Sequence, residues 1–145
     1  MRHSKKDEDL TSIDRLCKAL ADPTRLRMLG VLSSGEVCVC HIQDSLGIPQ
    51  PKASRHLAYL RRAGLVETRK RGLWVYYRLA SRRDGVAQTI LDAVQHCIGH
   101  LPTARRDAAR LEKETGCCAV VPAAPTFDCC VQTTLPADAK PARSG

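Results

Sequence analysis

Gly47-Ile48-Pro49 separates two stretches of helical periodicity, and this punctuation narrows the possible folds more than any other part of the chain. Before it, Cys40 to Leu46 carries Ile42 and Leu46 one turn apart, and Gly47 stands where a helix stops. After it, Pro51 to Ala63 places Ala53, Leu57 and Leu60 on one side. A short helix, a turn of about three or four residues containing Gly, and a second helix make a helix-turn-helix. At about 100° per residue, the side opposite the apolar stripe carries Arg55, Tyr59 and Arg62, flanked by Lys52, Ser54 and His56, with Gln50 at the turn. Arg can grip guanine in two places, and Lys and Ser can hold phosphates, so this face has the chemistry of a major-groove reader.

Upstream, Ile13, Leu16, Cys17, Leu20 and Ala21 recur at the spacing of an amphipathic helix. Asp22 can cap the next helix and Pro23 suits its first turn, so Pro23 to Leu32 is expected to be helical, with Leu26, Leu29 and Leu32 inward and Ser33-Ser34-Gly35 as its stop. Downstream of Gly64 the period changes to two. Leu65, Val66 and Thr68 form one strand; Val75, Tyr77 and Leu79, alternating with Trp74, Tyr76 and Arg78, form another. With Arg69-Lys70-Arg71-Gly72 as its tip, this hairpin is a wing whose cations would meet the DNA backbone. From Asp84 a helical seam of Val86, Ile90, Ala93, Val94, Cys97, Ile98 and Leu101 ends at Pro102. So small a core cannot cover so long a seam, which argues for the same helix of a second subunit and a twofold dimer.

The predicted fold is therefore mainly α with a β-hairpin wing (α+β), a homodimeric winged helix-turn-helix. Its parts are an N-terminal extension (1–11), the DNA-binding and dimerisation domain (12–102), a basic helix (103–115) and a disordered cysteine-containing tail (116–145). The charge distribution agrees. Between Lys52 and Arg83 stand ten Lys or Arg and one acid, Glu67, within a chain of net charge +8, and such concentration points to a polyanion, double-stranded DNA. No stretch has the length and apolarity of a membrane span, and the N-terminal residues lack the apolar core of a secretory signal, so a cytoplasmic protein without a membrane partner is expected. Eight cysteines in a reducing compartment suggest metal or redox chemistry rather than a disulfide framework.

Two of those thiols, Cys38 and Cys40, lie one residue apart immediately before the reading head. Residues i and i+2 diverge on a helix and agree in direction on extended backbone, so both can grip one ion only where the helix is not regular. Capture is then expected to distort the start of the short helix and tilt the recognition helix.

Four blocks, Leu20-Ala21-Asp22-Pro23-Thr24-Arg25-Leu26-Arg27, Glu36-Val37-Cys38-Val39-Cys40, Gln50-Pro51-Lys52-Ala53-Ser54-Arg55-His56-Leu57 and Leu60-Arg61-Arg62-Ala63-Gly64-Leu65-Val66, agree in order and spacing with a known group. Over about residues 12 to 101 the chain resembles the arsenic-responsive repressors of the ArsR/SmtB winged-helix metalloregulator family. The resemblance implies a homodimeric repressor of an arsenic-resistance operon that leaves its operator when As(III) or Sb(III) binds, with Cys38 and Cys40 as ligands. Arsenite-type members often carry a third thiol where this chain has Gln43. Either another cysteine completes the three-sulfur pyramid, with Cys117 or Cys118 first, or methylated trivalent arsenic, which needs only two thiolates, is the inducer.

Other sulfurs and imidazoles have plainer readings. Cys17 and Cys97 lie on apolar faces and are expected to pack in the core; His41 reads as exposed polar filler or a ligand for a harder metal. Asp92, His96 and His100 are spaced for a zinc site, although the ligand pattern of the family's zinc and cadmium members is incomplete. A thiol-redox sensor of the same fold is the other alternative. No nucleophile, base and orienting group fall together as an enzyme requires.

Overall fold

Helix α1 (Lys5–Leu20) is followed almost at once by α2 (Pro23–Leu32), and Asp22 holds the joint between them. Its extended backbone and carboxylate, which accepts from the Arg25 N–H at 3.0 Å, cap α2, while Pro23 occupies a first-turn position where a missing N–H costs nothing. The computed structural model describes residues 5–81 and 85–115. At the far end of α2 the Ser33 and Ser34 hydroxyls donate to the carbonyls of Gly30 (2.6 Å) and Val31 (2.8 Å), closing the helix before Gly35 turns the chain.

A two-residue strand, β1 (Val37–Cys38), then passes directly into α3 (Val39–Leu46). Gly47 ends α3 in the left-handed conformation (φ 67°), and the amides of Gly47 and Ile48 return to Asp44 and Gln43. After this turn comes α4 (Gln50–Arg62), starting at the Pro49 cap and carrying Pro51 in its first turn. Strands β2 (Val66–Arg71) and β3 (Trp74–Leu79) form the wing, paired from Val66↔Leu79 to Arg71↔Trp74 around Gly72 (φ 61°) and Leu73. Arg69, Lys70 and Arg71 therefore belong to strand β2 rather than to the tip. β1 pairs antiparallel with the other side of β3, so the sheet order is β1-β3-β2. Helices α5 (Gly85–Gly99) and α6 (Pro102–Thr115) complete the described chain.

One core joins these elements. Leu16 and Ala19 of α1, Met28, Leu29 and Leu32 of α2, Ile42 and Leu46 of α3, Ala53, Leu57 and Leu60 of α4, and Leu91 of α5 are all buried. Each Leu or Ile contributes about 1.5–3 kcal/mol by leaving water, so the helix-turn-helix is held as a rigid unit on α2. Helix α6 adds a polar anchor: the Arg27 guanidinium donates to both oxygens of buried Asp107 at 2.8 Å, and to the Leu46 carbonyl at 3.1 Å.

Several expectations change. Helix α1 begins at Lys5, ahead of residue 12, and its core face is Leu16 and Ala19; Cys17, about 100° round the helix from Leu16, is exposed. Cys97 is likewise exposed instead of packed, and His41 is buried rather than exposed. The α5 seam divides. Ala87, Leu91 and Ile98 face the protomer's own core, Ile90 and Val94 are half-buried, and Val86, Ala93, Cys97 and Leu101 are exposed. The stretch assigned to a tail, 116–145, with Cys117 and Cys118, lies outside the described residues.

Candidate DNA interface and thiol site

Burying Ala53, Leu57 and Leu60 turns the other side of α4 outward, and there Gln50, Lys52, Arg55 and Arg62 are exposed. The Gln50 amide donates to the Ser54 hydroxyl at 2.8 Å, ordering the first turn. Arg55 and Lys52 make no ion pair among the described residues, so both charges are available to an outside partner.

His56 and Tyr59 sit differently. The imidazole is half-buried against the start of α2, its Nδ1 3.3 Å from an Arg25 nitrogen and 3.8 Å from an Asp22 oxygen. Tyr59 lies between two guanidinium groups, Arg25 at 4.2 Å and Arg62 at 5.8 Å from its ring centre. Arg25 also donates to the carbonyls of Ala19 (2.6 Å) and Lys18 (2.9 Å), which α1 leaves open at its C-terminus. One arginine thus ties α1, α2 and the recognition helix together; sequence reading placed Arg25 in a motif but gave it no role. Burial lowers the His56 pKa below its ordinary value, and the neighbouring Arg25, Lys52 and Arg55 add to this against the pull of Asp22. The Asp22 carboxyl feels burial too, yet the Arg25 amide, His56 and the Arg25 guanidinium together hold it below the usual range.

On the wing, Lys70 is exposed and Arg69 partly so, but Arg71 turns inward. Arg71 is 3.2 Å from Glu36, a carboxylate only 6% exposed, and Arg69 reaches the same residue at 3.7 Å. Arg71, expected to meet phosphate, is held in an internal ion pair, because a buried Glu36 needs a cation.

Cys38 and Cys40 are together, with their sulfurs 3.0 Å apart. The geometry comes from the junction of strand and helix: Cys38 has extended backbone (φ −69°, ψ 146°) at the position just before α3, while Cys40 lies in the first turn. The thiols come together because Cys38 lies on extended backbone outside the regular helix, the condition that their spacing sets. Cys38 is buried, Cys40 half-buried, and both pack with Tyr76, Trp74 and Val39 in a small cluster beneath the wing. Among the described residues no group of three or more His, Cys, Asp or Glu could hold a metal ion. Asp92, His96 and His100 form no such group among the described residues of the chain; the two imidazoles meet edge to face at 4.8 Å.

A groove-reading helix, a flanking wing and a core that fixes one against the other define a winged helix-turn-helix DNA-binding protein, here with a dithiol at the root of its reading head. Residues 22–68 match the family described as bacterial regulatory protein, arsR family. The chain is 48% identical over 84 residues to the arsenical resistance operon repressor of Escherichia coli strain K12, covering 57% of this chain and 72% of that protein. It is 35% identical over 109 residues to the HTH-type transcriptional regulator KmtR of Mycobacterium tuberculosis, covering 73% and 82%. Among solved structures it resembles the homodimeric winged helix-turn-helix domain of Mb0332 from Mycobacterium bovis, with 35% identity, a TM-score of 0.58, and 68% and 88% of the two chains covered. The chain belongs to the ArsR family of bacterial regulatory proteins, which are DNA-binding transcriptional regulators. No described helix is long and apolar enough to cross a membrane.

Proposed function

We propose that this chain is a cytoplasmic, homodimeric repressor of an arsenic-resistance operon, and that it leaves its operator when trivalent arsenic or antimony, inorganic or methylated, binds Cys38 and Cys40. The observation that carries the reading is the 3.0 Å separation of the two sulfurs. With thiolate bonds of about 2.3 Å, such a pair subtends about 80° at the bound atom, short of the roughly 109° of tetrahedral zinc and nearer the right-angled bonds of a pyramidal p-block ion. Each As–S bond replaces an As–OH bond, the thiol proton leaving with the hydroxide as water. A third substituent completes the pyramid, either a sulfur of Cys117 or Cys118 or the methyl group of a methylated arsenical.

Gln50, Lys52, Ser54, Arg55 and Arg62 would address the major groove, and Arg69 and Lys70 the adjacent backbone. His56 and Tyr59 would set the pose of the recognition helix, and Arg71, turned inward against Glu36, would not touch DNA. The dimer would form through the outward face of α5 and the turn after it, with α1, where Val86, Leu101 and Leu10 are between 48% and 65% exposed. X-ray absorption at the arsenic edge tests the site. Arsenite on the full chain should have three sulfur neighbours, falling to two in Cys117→Ser/Cys118→Ser; fewer than two in the full chain would exclude the dithiol.

Sulfurs 3.0 Å apart also support a second reading, a redox sensor whose pair oxidises to a disulfide. Operator release by oxidant alone, with no metalloid added, would favour it.

A further inference from the structure

Glu36 stands two residues before Cys38 and is buried at 6% exposure. A carboxylate so placed must be matched by charge, and both its cations come from the wing: Arg71 at 3.2 Å and Arg69 at 3.7 Å. The Arg71 side chain is itself only 11% exposed, and its guanidinium lies 5.3 Å from the Tyr76 ring centre. Tyr76 is the residue that faces Cys38 across the β1–β3 ladder, and Trp74, the partner of Arg71 across β2–β3, packs against the same pair. The dithiol and the Glu36–Arg71 pair are thus joined through a single aromatic layer.

This ion pair is incompletely made. Neither Glu36 Oε1 nor the two terminal nitrogens of Arg71 complete a hydrogen bond among the described residues. In a buried pair, attraction offsets desolvation only when hydrogen bonds accompany it, so this pair is held by charge with no directional bond to fix its geometry. The path from α3 to the recognition helix is different in kind. There Ile42, Leu46 and Leu57 pack as fully buried apolar side chains, which resist deformation.

Resting on the reading of Cys38 and Cys40 as the inducer site, we propose that Glu36 and Arg71 are the positioning residues that relay inducer capture to the wing. Drawing the two sulfurs onto one atom shifts Cys38 against Tyr76. The Glu36–Arg71 pair then re-seats, and β2 carries Arg69 and Lys70 away from the DNA backbone.

The test uses sodium arsenite and the double variant Glu36→Gln/Arg71→Gln, which removes both charges and leaves neither buried alone. Saturating arsenite should weaken operator binding by about 5- to 150-fold in wild type. The double variant should bind arsenite, by calorimetry, and arsenite-free operator within about threefold of wild type, yet lose less than about threefold of its operator affinity when saturated, a tenth or less of a strong wild-type response. Release equal to wild type would overturn the relay, as would a natively folded variant that cannot bind operator at all. Wild type that stays on DNA when saturated would instead refute the inducer site, and the relay with it. Should the variant not fold, hydrogen exchange in wild type decides: arsenite should reduce protection of the β2–β3 amides around Arg71, and unchanged protection there refutes the proposal.

Discussion

Arg55 and Arg71 are the same residue type in the same basic segment, yet one faces outward with no ion-pair partner among the described residues and the other is held by Glu36. Arg55 on the reading face and Lys70 on the wing are both exposed, and truncating each should have its own consequence. Arg55→Ala should weaken operator binding and relax specificity at one base pair, by about 1–3 kcal/mol. Lys70→Ala should weaken all sequences alike and lower the salt slope by about 0.9. Binding titrations against operator and scrambled duplex at several salt concentrations separate the two. His56, which its helical position sets beside the DNA face, packs against Arg25 and Asp22. Because its pKa is lowered in the fold, the unfolded chain takes up the proton first as pH falls below about 6.5, so stability declines there. Urea midpoints at pH 7.5 and 5.5 should differ less in His56→Gln than in wild type, and an equal difference would contradict the packing described.

At the scale of elements, the helices and wing were legible because they are long enough to repeat a period. The α2 cap at Asp22-Pro23 and the α3 stop at Gly47 appear where their chemistry places them. Strand β1 was not legible, since two residues cannot display alternation, and its existence rests on pairing with β3 far along the chain. That omission also hid the contact between thiol pair and wing. The inward faces of α5 and α6 were equally obscure from local pattern: Ile98 shares a seam with exposed Cys97 and Leu101, and Asp107 looks like surface charge until Arg27 is seen against it. Arg27→Met should leave Asp107 buried without its cation and cost about 3–5 kcal/mol. Chemical denaturation would register this, and a loss below about 0.5 kcal/mol, the scale of an ordinary surface substitution, would mean that α6 does not depend on the pair.

For the whole molecule, the exposed Leu10, Val86 and Leu101 would be covered in the proposed dimer by a second copy of the chain, setting two recognition helices roughly 34 Å apart on a palindromic operator. Val86→Glu/Leu101→Glu should yield a monomer in sedimentation velocity with greatly reduced operator affinity, because neither residue supports the protomer's own core. An unchanged dimer would place the interface elsewhere. The molecule then reads as a reading head and a wing mounted on one core, with the dithiol at the point where α3 and the β1 edge of the sheet meet. Fluorescence anisotropy of a labelled operator duplex, titrated with arsenite over wild type and Cys38→Ser/Cys40→Ser, addresses that arrangement most directly. Wild type should dissociate while the double variant stays bound; dissociation of both, or of neither, would contradict it.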